Sequence, residues 1–322
     1  MADIITTLNT KYGNVTVIKG ALQIPRISSG SIALDKITGG GIPLNKFTYI
    51  TGAESSGKTT LAIHIAIEMQ KKDTTRYIGY VDMEHAFDMQ YAKGIGLDEG
   101  RCIFVQPDNS QHAWGMIADM CESGQVSLII LDSIATLVTQ QEIDGDISDQ
   151  HVGIEARLNG QSMRKVIPLL SKNKVTFIGI NQLRQNIGVI GYGNKHTSPG
   201  GYSFRYASHL TLEPARIATI KDNENTAISN RTKVKVAKSK VCPPYKECEF
   251  DLVYGVGIDQ CGEVVDLAII YKLITKNGAW YTFTRNGEIL VKEQGRSNFI
   301  DAIKKHALYP ELVAQVRQMA EV

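Results

Sequence analysis

At 322 residues the chain can form one large domain and a smaller one, and its 43% hydrophobic and 21% charged residues argue against extensive disorder. A net charge of only +2 excludes a uniformly basic surface, so any nucleic-acid site must be a local concentration of Lys and Arg. Five cysteines without C-x-x-C spacing, together with apolar runs too short to span a bilayer, argue against a disulfide framework, a zinc module or a membrane protein.

The amino terminus, MADIITTLNTKYG, reads as a short helix with Ile4, Ile5 and Leu8 on one face. It lacks a basic stretch followed by an apolar one, so no signal peptide is expected and the protein reads as cytoplasmic. Strands and helices then alternate. KFTYI (46–50) is a buried strand and LAIHIAIEMQKK a helix ending in lysines. YIGYVD (77–82) and IFVQ (103–106) are further strands, followed by a helix from Trp114 to Met120. SLIILDS (127–133) and VTFIGINQ (175–182) are continuous apolar strands of the kind a parallel sheet covered on both faces requires. A helix over about 154–171 makes the crossover between them.

Residues 184–203, RQNIGVIGYGNKHTSPGGYS, form a connection far longer than usual, which points to a functional loop. Three strands follow in ASHLTLEPARIATI, TKVKVAKSKV and ECEFDLVYG. From about residue 260 a helix, the hairpin-like NGAWYTFTRNGEIL and two terminal helices predict a small α+β domain. The expected fold is α/β: a doubly wound, mostly parallel sheet of the phosphate-loop type, with that small domain at the carboxyl end. The expected boundaries are an arm over 1–19, a core over 20–258 and the carboxyl-terminal domain over 259–322.

Gly52-Ala53-Glu54-Ser55-Ser56-Gly57-Lys58-Thr59 fits G-x-x-x-x-G-K-[ST] between a strand and a helix, the context that gives the motif its meaning. Its glycines let backbone N–H groups turn toward phosphate oxygens, and the following helix adds its positive end. Lys58 is placed to reach the β- and γ-phosphates, and Thr59 to ligate Mg²⁺; the expected cofactors are ATP and Mg²⁺. Asp132, at the end of LIILDS with Ser133 beside it, reads as the carboxylate that holds the metal's hydration shell. A carboxylate at the end of YIGYVD is placed to orient the attacking water. From the residues alone Asp82 and Glu84 qualify equally.

GAESSGKTTL, VDMEHAFDMQYAKGIGLD, IILDSIATLVTQQEIDGDISDQHVG, INQLRQNIGV, SPGGYSFRYAS, TKVKVAKSKVCPPYKECEF and GAWYTF together resemble the bacterial RecA family of DNA strand-exchange recombinases. The likeness runs from about residue 11 to about 318, in the same order and with nearly the same spacing. It implies an ATP-dependent recombinase that forms filaments on single-stranded DNA and pairs it with homologous duplex DNA. It implies Glu84 as the catalytic glutamate and Gln182 as the sensor of the γ-phosphate. Thr60 falls within the matched phosphate loop, and Asp88 and Tyr91 match the residues that contact adenine. Lys238 and Lys240 match lysines that reach the nucleotide of a neighbouring subunit; from the residues alone, lysines there would more simply guard an edge strand. The segments 142–153 and 184–203 match the two DNA-binding loops, which places Val152, Arg184, Ile187, Gly200 and Gly201 at DNA; Arg157 and Arg164 fall on the helix after the first loop and are expected at DNA too, the resemblance placing Arg164 against its backbone. EIDGDISD in the first of these is acidic and by itself would read as a solvated turn.

Partners implied by the resemblance are single-stranded and duplex DNA, further copies of the chain in a helical filament, a self-cleaving repressor and loading proteins. The sequence departs from the family's pattern at Cys261, where a second adenine-stacking tyrosine is usual, at Val152 and at Gly160. The amino-terminal arm is shorter than the family's polymerisation helix, which bears on the strength of subunit contacts, and the family's acidic carboxyl tail is absent, so readier binding to duplex DNA is expected. The alternative reading is a ring-forming DNA motor ATPase of the same fold.

Overall fold

The structure, a computed structural model, describes residues 4–12, 24–145, 153–185, 196–197, 203–222 and 224–322. After helix α1 (Ile4–Tyr12), a two-residue ribbon of β1 (Arg26–Ile27) and β2 (Ile42–Pro43) encloses α2 (Ile32–Thr38). The core then alternates β3 (Phe47–Gly52), α3 (Lys58–Lys72), β4 (Tyr77–Asp82), α4 (Met89–Gly94), β5 (Cys102–Val105), α5 (Ser110–Glu122) and β6 (Val126–Asp132). It continues through α6 (Gln140–Asp144) and α7 (Ile154–Asn173) into β7 (Thr176–Gln182). A small ribbon of β8 (Arg184–Gln185) and β9 (His196–Thr197) and the short α8 (Ser203–Ala207) lead to β10 (Leu210–Lys221), β11 (Ala227–Ser239), β12 (Glu247–Val253) and β13 (Gly257–Ile258).

These strands form one nine-stranded sheet in the order β13-β12-β11-β10-β3-β7-β6-β4-β5. From β10 to β5 every pairing is parallel; from β10 outward to β13 every pairing is antiparallel. The mostly parallel doubly wound sheet expected from the sequence is therefore present. Alternation along each strand sorts the core into two layers. Ile50, Ile78, Tyr80, Ile130, Ile178 and Leu212 face α3, while Phe47, Tyr49, Val81, Ile129, Leu131 and Phe177 face α5 and α7. Both faces are apolar because helices cover both, which is why these strands read as unbroken hydrophobic runs. Buried Trp114 of α5 donates its indole N–H to Asn159 Oδ1 of α7 at 2.9 Å, fixing the two helices to each other.

The carboxyl-terminal part contains α9 (Gln260–Ile270), a three-stranded meander of β14 (Ile274–Asn277), β15 (Trp280–Arg285) and β16 (Glu288–Gln294), then α10 (Arg296–Lys305) and α11 (Tyr309–Ala320). The hairpin read from NGAWYTFTRNGEIL is there, with β14 added on its outer side because Ile274 pairs with Phe283 and joins the same small core. That core also takes in Ile32 and Ala33 of α2. Buried Glu263 accepts hydrogen bonds from Ser31 Oγ, Ile32 N and Ala33 N, so a carboxylate on α9 satisfies free N–H groups at the start of α2. Arg296 bridges Asp251 of β12 at 3.2 Å and Asp266 of α9 at 2.9 Å.

Candidate active site

Parallel pairing places the carboxyl ends of β3, β7, β6 and β4 side by side. Gly52 lies opposite Gln182, and Asp82 opposite Asp132. The phosphate loop leaves β3 at Gly52 and enters α3 at Lys58. Ser55 has φ 56° and Gly57 φ 88°, so the loop curls through left-handed backbone before the helix begins. A Cβ on Gly57 would lie 2.3 Å from Leu252 Cδ1, and one on Gly52 would lie 2.6 Å from Pro214 O. Gly57 is thus required by its left-handed backbone and Gly52 by the close approach of the Pro214 carbonyl.

Lys58 is buried, and its Nζ donates to Ala53 O at 2.7 Å. Burial lowers its pKa, a shift opposed by the charges of Asp132, Glu84 and Glu54. Glu54 and Ser55 are exposed, while Ser56 is buried with its Oγ unpartnered among the described residues. A buried cation held only by a carbonyl, an unpartnered buried hydroxyl and a glycine-walled loop at a helix start fit a polyphosphate. At the other side Thr59 Oγ1 donates to Asp132 Oδ2 at 2.8 Å, an oxygen-donor pair suited to a hydrated Mg²⁺. Burial pushes the Asp132 carboxyl up, with hydrogen bonds from Tyr80 and Thr59 acting against it.

The two candidate carboxylates after β4 have different surroundings. Asp82 is buried and accepts from Glu84 N (3.1 Å), Phe87 N (3.3 Å) and the Gln106 amide (3.0 Å), so it braces the turn. Glu84 is half-buried, and its Oε1 accepts from Ser133 Oγ at 2.5 Å and Gln182 Nε2 at 3.0 Å. Both carboxylates line one cavity of about 280 Å³, together with Thr59, Thr60, Tyr80, Asp88, Tyr91 and Asp132, so their hydrogen bonds and not their access to the cavity distinguish them. Asp88 caps α4, and the Tyr91 hydroxyl lies 3.0 Å from Thr60 Oγ1. Thus Gly52, Gly57, Lys58, Thr59, Thr60, Glu84, Asp88, Tyr91, Asp132 and Gln182 come together at one end of the sheet.

Lys238 and Lys240 do not join them. Lys240 N donates to His209 O, and His209 N donates to Phe47 O, at the start of β3. Five residues of strand separate Phe47 from Gly52, roughly 16 Å. Lys238 Nζ donates to the carbonyls of Arg205, Tyr206 (3.0 Å) and Ser208 (3.1 Å), and Lys240 Nζ to Tyr206 O at 3.2 Å. Burial, with Lys240 and Arg205 nearby, lowers the Lys238 pKa to about 8. Among the described residues β11 pairs with β12 only from Ser229 to Lys235, so at Lys238 the strand is paired with β10 alone and its other side is open, a position that fits the guarding of an edge.

Arg157 and Arg164 are both exposed on α7, seven residues and about 10 Å apart on one face. Of Arg184 the structure describes the backbone, paired with Thr197. Val152, Ile187, Gly200 and Gly201 lie outside the described residues. Sequence reasoning missed Tyr80, whose hydroxyl donates to Asp132 Oδ2 at 2.8 Å. Strand alternation, which puts Tyr80 on the face of Asp82, was the available signal.

The family model for the RecA N-terminal domain matches residues 1–259, and that for the RecA C-terminal domain matches residues 262–321. The chain belongs to the RecA family. Protein RecA of Chlorobium limicola is 41% identical over 84% of this chain and 75% of its own length. Protein RecA of Ruminococcus albus is 42% identical over 83% of this chain and 64% of its own. Among solved structures, the RadB recombinase matches with a TM-score of 0.54 over 72% of this chain and 97% of its own, at 20% identity, which speaks to the fold. DNA recombination, through filament formation and strand exchange, is the standard activity of this family, and its members are ATPases that bind ATP with Mg²⁺. No described helix is long and apolar enough to cross a membrane.

Proposed function

We propose that this RecA-family recombinase hydrolyses ATP at the interface between successive subunits of a filament on single-stranded DNA. The observation that carries the reading is the 3.0 Å hydrogen bond from Gln182 to Glu84. Gln182 ends the last core strand and leads directly into the long 184–203 connection, the proposed DNA loop. A shift of that loop therefore moves a group bonded to the proposed hydrolytic carboxylate, which gives DNA a direct route to the chemistry.

In this reading the loop 52–59 with Lys58 cradles the phosphates, Thr59 and Asp132 hold Mg²⁺, and Asp88, Tyr91 and Thr60 line the nucleoside end. Bound Mg²⁺ supplies neutralisation of phosphate charge. Glu84 orients the attacking water and accepts its proton, with Ser133 and Gln182 fixing the carboxylate. Lys58 stabilises charge on the phosphate oxygens.

Lys238 and Lys240 complete the site of the next subunit. Their place toward the opposite end of the sheet supports this: roughly 10 Å of strand for Lys238 and roughly 16 Å for Lys240 separate them from the level of their own phosphate loop, and they are offered to a neighbour stacked on that face. Until then the carbonyls at the end of α8 hold them. Arg157, Arg164 and Arg184, with Val152, Ile187, Gly200 and Gly201, form the DNA surface.

Electron microscopy with single-stranded DNA and a slowly hydrolysed ATP analogue tests the assembly. Helical filaments on the DNA are expected; closed rings would replace this reading with a ring-forming motor.

A further inference from the structure

Asp132 is held by a residue to which neither the phosphate-loop motif nor the family resemblance gave a role. Its Oδ2 accepts two hydrogen bonds at 2.8 Å, one from Thr59 Oγ1 and one from the Tyr80 hydroxyl. Tyr80 is 3% exposed and lies on β4, with Ile130 of β6 and Phe104 of β5 as its neighbours across the sheet. Its ring packs against Phe87, with centroids 4.2 Å apart, and stacks on Phe104 at 5.7 Å.

The ring alone would satisfy that packing. A phenylalanine would keep both aromatic contacts and spare the cost of burying a hydroxyl. The oxygen at this depth therefore points to its partner, and that partner is the carboxylate at the proposed metal end of the site. Two donors on one oxygen stop the carboxylate from rotating and leave its other oxygen to accept from water. Thr59, while donating to Asp132, keeps its own lone pairs for a cation.

We infer that Tyr80 is a positioning residue for Mg²⁺: its hydroxyl holds Asp132 in the orientation that receives the metal's hydration shell. This rests on the reading of Thr59 and Asp132 as the Mg²⁺ pair. Tyr80 lines the same cavity as Thr60, Asp88 and Tyr91, but its one polar atom, the hydroxyl, is given to Asp132, and its polar influence on the site passes through that carboxylate. Its effect is therefore confined to metal-dependent binding, and nucleotide binding without metal is spared.

The test uses the full-length protein without DNA. ADP affinity is measured by calorimetry in EDTA and at a series of Mg²⁺ concentrations, and Mn²⁺ affinity of the ADP complex by electron paramagnetic resonance. Tyr80→Phe is expected to bind ADP in EDTA within twofold of the parent, and to need roughly tenfold more Mg²⁺ or Mn²⁺ for half-saturation, the scale of one hydrogen bond to a charged group. Asp132→Asn is run beside it, and Tyr80→Phe should add nothing further in that background. If Asp132→Asn weakens metal binding and Tyr80→Phe does not, the positioning role is overturned and the metal site stands. If neither changes metal binding, the metal assignment itself has failed and the inference with it. Equal losses with and without metal in Tyr80→Phe would show a general packing role and overturn the inference.

Discussion

The division of labour between two carboxylates two residues apart is a matter of hydrogen-bond inventory. Asp82 has its oxygens occupied by backbone N–H groups of Glu84 and Phe87 and by the Gln106 amide, which leaves it little capacity to take a proton from water. Glu84 is held through one oxygen, Oε1, by Ser133 and Gln182, which leaves Oε2 to accept from water. Glu84→Gln keeps the size and removes the proton acceptor. It is expected to bind ATP normally and to lower turnover by roughly 10²-fold or more, with DNA-bound filaments persisting longer. Steady-state ATPase assays and nucleotide titrations check this; near-normal turnover would return the role to Asp82.

Two predictions belong to single elements. α7 presents Arg157 and Arg164 on one exposed face while Trp114 and Asn159 anchor its opposite side. Arg164→Ala should weaken single-stranded DNA binding whatever the sequence and flatten the plot of affinity against salt by about one unit, so the loss is larger at low salt. Salt titrations with two unrelated oligonucleotides measure both; an unchanged slope would take Arg164 off the DNA. On α3, buried His64 accepts the Ile258 N–H at 2.8 Å through Nε2, tying that helix to the strand before α9. Burial, with Lys71 nearby, lowers its pKa from 6.5 to about 4. Between those values the unfolded chain binds the proton and the folded one does not, so stability falls as pH drops from about 6.5 to about 4. The loss is bounded at roughly 3 kcal/mol. His64→Gln should lose that pH dependence, as denaturant unfolding across this window would show.

Across the whole molecule, assembly and chemistry are joined because one sheet carries the phosphate loop at one end and the paired lysines toward the other. ATPase per subunit should rise steeply with protein concentration and with single-stranded DNA, since both create interfaces. Lys240→Ala should bind ATP and hydrolyse it poorly. Mixed with Glu84→Gln it should regain part of the activity. Where Lys240→Ala supplies the nucleotide site and Glu84→Gln supplies the lysines, both halves of the interface are intact. Absence of complementation at every mixing ratio, with co-assembly confirmed, would confine these lysines to their own subunit.

What the sequence determined by itself was whatever is written locally. The loop Gly52–Thr59 reads from sequence because left-handed backbone needs glycine and phosphate needs a lysine at a helix start. The strands YIGYVD and LIILD read because burial on both faces leaves no polar alternation, and the long 184–203 stretch because so long a run without an apolar period is rare in a packed domain. Tertiary structure alone decided what depends on register between strands far apart in the chain. It set Gln182 beside Gly52, bound the Gln182 amide to Glu84, turned Asp82 into a brace and pointed Tyr80 at Asp132. It also added α2 and α8, each too short to show a helical period, and placed Lys238 and Lys240 toward the far end of the sheet. A strand's composition reports that it is buried, but its neighbours follow from pairing energies summed over the whole sheet, and no local window of sequence contains that sum.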